Sequence, residues 1–238
     1  MSKITKVKAR QVFDSRGNPT IEAEVFTKNK SAIAICPSGA STGTYEAFEK
    51  RDKNNKKYLG KSVLKAVELV NSKISKKLKG QNVHNQERID ALLINLDGTR
   101  QKTNLGANAM LAVSMAVKKL SAKVKKLPLY KTFFLKNNFQ LPYPLMNIIN
   151  GGAHANNGLR IQEFMIRPDR AKSFSEAMRI CFVVIKNLSN LIKNKGYSTS
   201  VGDEGGFAPM ISSNNQALDL IVSAIKKSGF VNGKDVSI

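Results

Sequence analysis

The hydrophobic period changes twice along this chain, and those changes limit what it can fold into. Over residues 3–13, KITKVKARQVF, and 18–27, NPTIEAEVFT, apolar and polar side chains alternate, the period of half-buried strands. The turn sequence DSRG separates the two runs, and SAIAIC follows a second turn at KNK. A three-stranded antiparallel meander is expected. From Lys61 the period becomes helical. SVLKAVELVNSKISKKL has apolar residues at 63, 64, 67, 70, 74 and 78, and NQERIDALLINL repeats the pattern. GANAMLAVSMAVKKLSAKV predicts a third helix whose small residues suit close packing, with Gly106 and Asn108 at its start and Pro128 beyond its end.

The second change follows LKNNFQLPYP, a loop-forming stretch that places a domain boundary between residues 136 and 137. Beyond it come strand LMNIIN, loop GGAHANNGLR, strand QEFMIR and helix SFSEAMRICFVVIKNLSNLIKN. Strand YSTSVG, loop DEGGFAP and helix NQALDLIVSAIKKSG complete the series, and KDVSI reads as the start of another strand. The expected class is therefore an α+β domain, residues 1–136, followed by an incomplete α/β barrel of TIM type, residues 137–238, around a largely parallel sheet.

With 39 Lys+Arg against 17 Asp+Glu, a net charge of +22, nucleic acid is the first partner to consider. The basic residues are 30 Lys and 9 Arg, spread along the chain with little aromatic interleaving. Phosphate and base recognition favours Arg forks, so a solvated lysine coat that attracts anionic ligands fits better. No apolar h-region interrupts MSKITKVKARQVF, and runs such as LIVSAI are too short to span a membrane, so neither a secretory signal nor a membrane partner is expected. Cys36 and Cys181 lack metal spacing and read as buried thiols of a reducing cytosol.

Loops at the C-terminal ends of strands are where βα architectures carry their chemistry. His154 follows two glycines in INGGAHANNG, Gln162 and Glu163 open a strand in RIQEF, and Asp203 and Glu204 lie between glycines in VGDEGGF. Each has an ordinary explanation: a histidine bonded within its turn, a solvated strand acid, a pair of turn acids. Together they describe something more. Glycines beside a carboxylate let a ligand approach closely, and PSGASTG offers hydroxyls and bare amides suited to an anion. Carboxylates, a histidine and an amide suit a polar substrate, with or without a hard metal ion.

The motifs DSRGNPTIEAEV (14–25), PSGASTGTYEA (37–47), LDGT with GANAMLAVSMA (96–116), PLMNIINGGAHANN (144–157), QEFMIRP (162–168) and VGDEGGFAP (201–209) run in order over essentially the whole chain. Through them the chain resembles the enolase family, the phosphopyruvate hydratases. The resemblance implies a cytoplasmic homodimer that reversibly dehydrates 2-phosphoglycerate to phosphoenolpyruvate with Mg²⁺, a lysine removing the proton α to the carboxylate. On the matching positions it implies that Glu204 is the acid that helps hydroxide depart. Glu163 matches a second carboxylate near the leaving group, Gln162 a substrate-contacting amide, and His154 a loop histidine that closes on substrate. Ser41 matches a mobile-loop ligand of the second Mg²⁺, and Arg16 an arginine of the dimer interface.

Two departures qualify this. Arg160 stands where the family usually places an acid, and the balance of charge is basic rather than acidic. A TIM-type barrel needs eight strands, and the residues matching the primary metal carboxylates and the base lysine do not occur in this chain; Asp235 aligns with the turn before the first of those ligands. The expectation is an enolase-type site with its acid side present and no turnover by this chain alone. The other readings left open are half of a two-chain enzyme, and a non-catalytic basic protein that binds RNA or an acidic surface.

Overall fold

The computed structural model describes residues 2–39, 42–133 and 139–238. The chain divides into two compact units, Met1–Asn137 and Asn138–Ile238. The boundary expected between residues 136 and 137 lies outside the described residues.

In the first unit the alternating segments form β1 (Lys6–Phe13), β2 (Pro19–Phe26) and β3 (Ser31–Cys36), an antiparallel meander in the order β1-β2-β3. Its registers run unbroken from Lys6↔Phe26 to Phe13↔Pro19 and from Ile21↔Cys36 to Phe26↔Ser31. The β1–β2 turn closes on Asp14, whose carboxylate accepts from the N–H groups of Asn18 and Arg16, each at 2.9 Å. The bond from Asn18, foremost, holds this carboxyl below its usual range.

The first predicted helix is built in three pieces: α1 (Leu64–Leu69), a π-helical stretch Val70–Ile74, and α2 (Ser75–Leu78). Its fully buried apolar residues are Ala66, Val70, Ile74 and Leu78. A repeat of four outruns the 3.6 residues of an α-helical turn. The i→i+5 bonding of a π turn takes up the surplus and keeps all four on the sheet side. Leu64, one of the apolar positions of the helical pattern, is exposed.

Next come α3 (Gln86–Asp97), capped by the Asn85 side chain, and α4 (Ala107–Lys125). Ala109, Ala112, Val113, Ala116, Val117 and Leu120 line the buried stripe of α4, which packs on β2 and β3. Gly106 caps this helix at φ +93, and an added Cβ would stand 2.5 Å from the Lys50 Cβ. Only glycine fits there. The outer edge of β3 is sealed from the same helix: the ammonium groups of Lys119 and Lys123 donate to the Ile33 and Ser31 carbonyls at 3.2 and 3.0 Å. Some of the lysine excess thus blunts a strand edge that would otherwise template association.

The second unit opens with β4 (Met146–Asn150) and β5 (Glu163–Ile166). They pair antiparallel, with a bulge between Asn147 and Ile149. Two long amphipathic helices follow, α5 (Phe174–Asn194) capped by Ser173 and α6 (Asn214–Lys227) capped by Ser213. Their apolar stripes, including Ile180, Val184, Leu188, Leu220, Ile221 and Ile225, form one core with Phe164 and Ile166 of β5. No helix among the described residues is long and apolar enough to cross a membrane.

Three strand expectations are corrected here. The sheet formed by β4 and β5 is antiparallel, not largely parallel, because β5 returns beside β4 through the 151–162 loop without a crossover helix. YSTSVG is not a strand. The place parallel to β4 is taken by the single residue Phe207, which bridges Ile149, while Val201 pairs back onto Phe207. KDVSI contributes one antiparallel bridge, Ser237 to Arg167, with Asp169 accepting from the Ser237 hydroxyl. Both cysteines are free; Cys181 is buried as expected, whereas Cys36 is half-buried.

Asp97 organises the loop between α3 and α4. Its side chain accepts from Leu105 N–H at 2.7 Å and from the N–H and hydroxyl of Thr99, and its residue is buried. Burial alone pushes this carboxyl up, but those bonds outweigh burial and hold it below its usual value. A depressed carboxyl adds stability above its unfolded value of about 3.9 that is lost as pH falls through the folded value. Asp97→Asn should destabilise by about 1–3 kcal/mol at pH 7 and flatten the decline below pH ~4. Urea midpoints across pH for both proteins measure this. An equally steep acid limb in the variant would exclude Asp97 as its source.

Candidate functional site

The end of β4 is where three segments of the second unit meet. Asn150 N–H donates to Phe207 C=O and Phe207 N–H to Ile148 C=O, each at 2.9 Å, which locks the 201–209 loop against the strand. Gly151 N–H donates to Gln162 C=O at 3.0 Å and Gly152 N–H to Leu159 C=O at 2.9 Å, folding the 151–162 loop back on itself. A Cβ on Gly151 would lie 2.4 Å from Ile161 O, so the fold-back requires glycine. The short 3₁₀ turn Gly152–His154 that results turns the imidazole inward, its side chain 5% exposed.

Glu204 arrives on a turn held by Gly202 N–H to Gly206 C=O at 2.8 Å and Gly205 N–H to Gly202 C=O at 3.1 Å. Asp203 N–H donates to His154 C=O at 3.1 Å and ties this turn to the histidine loop. Gly205 sits at φ +81, and a Cβ on Gly202 would stand 2.5 Å from His154 O. The acidic turn can approach the histidine only because its flanks carry no side chains.

Four side chains named from the sequence come together here. The Gln162 amide nitrogen is 2.7 Å from His154 Nε2. Glu163 Oε1 is 3.6 Å from Nδ1 on the other edge of the ring, and Glu204 Oε1 is 3.9 Å from Nε2. One buried imidazole thus stands between two carboxylates that are 30% and 44% exposed. Such a corner can hold a proton at a carboxyl facing solvent and present it to an oxygen of a bound molecule.

Arg160 is exposed, and its backbone N–H reaches Asn214 Oδ1 at 3.3 Å, fastening the loop ahead of Gln162 to the start of α6. Arg16 lies in the other unit, on the β1–β2 turn. Ser41 lies outside the described residues. Among the described residues no three His, Cys, Asp or Glu side chains form a group able to hold a metal ion.

Two residues of β4 were not singled out from the sequence. Asn147 and Asn150 carry side-chain amides whose nitrogen and oxygen atoms are all buried without a hydrogen-bond partner. The bulge at Ile148 puts both on the face of the sheet that carries Glu163, since Asn147 pairs with Met165 and Asn150 with Glu163. Each unpaired buried polar atom costs about 1–3 kcal/mol. Two asparagines within the otherwise apolar run LMNIIN were the available signal.

The Gln162 nitrogen stands 2.7 Å from Nε2 and 3.3 Å from Nδ1, and Glu163 stands 3.6 Å from Nδ1, so a neutral His154 ring protonated on Nδ1 faces that carboxylate and accepts the nearer amide contact at Nε2. ¹⁵N spectra of the ring above its titration should show the Nδ1–H tautomer. Gln162→Leu should shift it toward Nε2–H, the form free histidine prefers. An Nε2–H ring in the unaltered protein would contradict this arrangement.

Comparison with known proteins agrees with both halves of this description. Residues 4–133 match the family description "Enolase, N-terminal domain", and residues 138–238 match "Enolase, C-terminal TIM barrel domain". A protein named Enolase from Pelagibacter ubique (strain HTCC1062) is 82% identical over all 238 residues and is spanned by the chain over 57% of its own length. The α+β meander domain is thus followed by part of a TIM-type barrel whose sheet is not closed. On the match of its larger unit and on that identity, this chain belongs to the enolase family.

Proposed function

We propose that the second unit carries the acid side of a carbon–oxygen lyase site that interconverts 2-phosphoglycerate and phosphoenolpyruvate. What supports this is the meeting of Gln162, Glu163 and Glu204 around His154. In the dehydration direction the bond between C3 and its hydroxyl breaks. The Glu204 carboxyl gives its proton to the departing oxygen, which leaves as water with the C–O electron pair, while the pair left on C2 when the α-proton is removed becomes the C2=C3 double bond. Glu163 stands near the same oxygen, the Gln162 amide orients the substrate, and His154 closes the corner against water. Removal of the α-proton is assigned to no described residue.

Mg²⁺ belongs to this reading through the family, where it offsets the charge of the enolate. The described residues do not fit it, since no three His, Cys, Asp or Glu side chains among them form a group able to hold a metal ion. No step here passes through the ion, and Ser41 as its loop ligand remains part of the proposal. So do a homodimer in which Arg16 lies at the interface, and a cytoplasmic site of action.

In the Pelagibacter ubique relative, placing glutamine at the position that aligns with Glu204 should lower kcat about 10²- to 10⁴-fold, with a smaller effect on KM. A variant within tenfold of the parent enzyme would overturn the assignment. This chain alone, with saturating Mg²⁺ and 2-phosphoglycerate, should form no more phosphoenolpyruvate than its Glu204→Gln variant. Turnover clearly above that control would show that the chain is a complete catalyst.

A further inference from the structure

Asn150 is fully buried, and its backbone is committed on both sides. Its N–H goes to Phe207, and its C=O accepts from the Asn157 side-chain amide at 3.0 Å. Its carboxamide, by contrast, has no hydrogen-bond partner at either atom. The place it occupies is specific. A Cβ built on Gly206 would stand 2.6 Å from Asn150 Oδ1. One built on Gly202 would stand 2.9 Å from Asn150 Cβ and 3.0 Å from its Cγ. The side chain therefore fills the floor beneath both ends of the turn that carries Glu204.

We propose that Asn150 is the positioning residue for Glu204: its carboxamide is the seat on which the 202–206 turn rests, and it fixes where the acid stands. The idea rests on the reading of Glu204 as the acid, but its physical content concerns this turn alone. The support is contact rather than hydrogen bonding: a Cβ at Gly202 or Gly206 would overlap the Cβ, Cγ or Oδ1 of Asn150, while the carboxamide itself makes no bond to the turn. The groups that titrate around Glu204 are His154, through Nε2 at 3.9 Å, Glu163 across the ring, and Asp203 beside it in the chain.

Two variants of the 238-residue chain test this by NMR without any substrate. Asn150→Ala removes the seat. Hydrogen exchange at Gly202 and Gly205 N–H should quicken at least ~10-fold, while amides in α5 and α6 keep their protection. Asn150→Asp keeps the shape and places a carboxyl beneath the turn that carries Glu204. Protection in the turn should be retained, and the ¹³C titration midpoint of the Glu204 carboxyl should rise by at least about half a pH unit. The same rise in a Glu163→Gln background assigns it to position 150.

Both results are required. Exchange at Gly202 and Gly205 within about twofold of the parent, or quickened equally throughout residues 138–238, would overturn the proposal, the second because support would then be general. A Glu204 midpoint unmoved in Asn150→Asp would overturn it as well, and that variant alone decides the matter should Asn150→Ala fail to fold. Neither measurement involves phosphoglycerate, so failure here leaves the lyase reading standing, and failure of the lyase assays leaves the seat intact.

Discussion

The second unit depends on backbone approaches too close for any side chain. Gly151 lies against Ile161 O, Gly202 against His154 O, and Gly206 against the main chain of Ile148 and Ile149. At each the missing Cβ is what lets two segments share hydrogen bonds, and those bonds place the acids. Glycine in such loops costs conformational entropy on folding. The helices offset that cost from behind, since α5 and α6 bury their apolar stripes against β4 and β5 and fix the strand ends from which the loops depart. Rigid core and thin loop are complementary halves of one device.

The same division orders the electrostatics. A chain with a net charge of +22 keeps its lysines largely at the periphery, and some have definite tasks, as at the sealed edge of β3. Two acidic side chains, Glu163 at the start of β5 and Glu204 on a loop, instead converge on one imidazole. Backbone bonds fix the Glu204 turn, and the imidazole stands within 4 Å of both carboxylates. A net positive charge of this size attracts anions at long range, whatever the local sign of the corner.

Periodicity made much of the fold legible. Alternation over residues 3–36 is explained by β1 to β3 because the central strand is covered and each flanking strand is only half so. The helical stripes of α4, α5 and α6 were equally plain. What escaped were features that no local pattern encodes. The π turn at Val70–Ile74 arises from a repeat of four meeting a flat sheet. YSTSVG alternates well enough for a strand, yet the neighbouring backbone position belongs to Phe207, and pairing is a tertiary fact. In the site, the glycines and the charged residues stood out by their combination, carboxylates, a histidine and an amide in glycine-flanked loops at strand ends. Asn147 and Asn150 did not, because an amide in an apolar strand reads as a minor irregularity until its lack of partners is seen.

That lack of partners is informative because folding selects against it. Buried amides without bonds cost stability that an isosteric leucine would not, and two within one strand are a substantial concession. A bulge at Ile148 is what directs both to the face of Glu163; without it Asn147 would turn toward the apolar core behind the sheet. The strand is thus irregular in the sense that exposes its polar groups to the acid corner and spares the core. Bulge and loop glycines act on one place: the bulge puts both asparagines on the Glu163 face of β4, and the missing side chains at Gly202 and Gly206 let the Glu204 turn lie against Asn150.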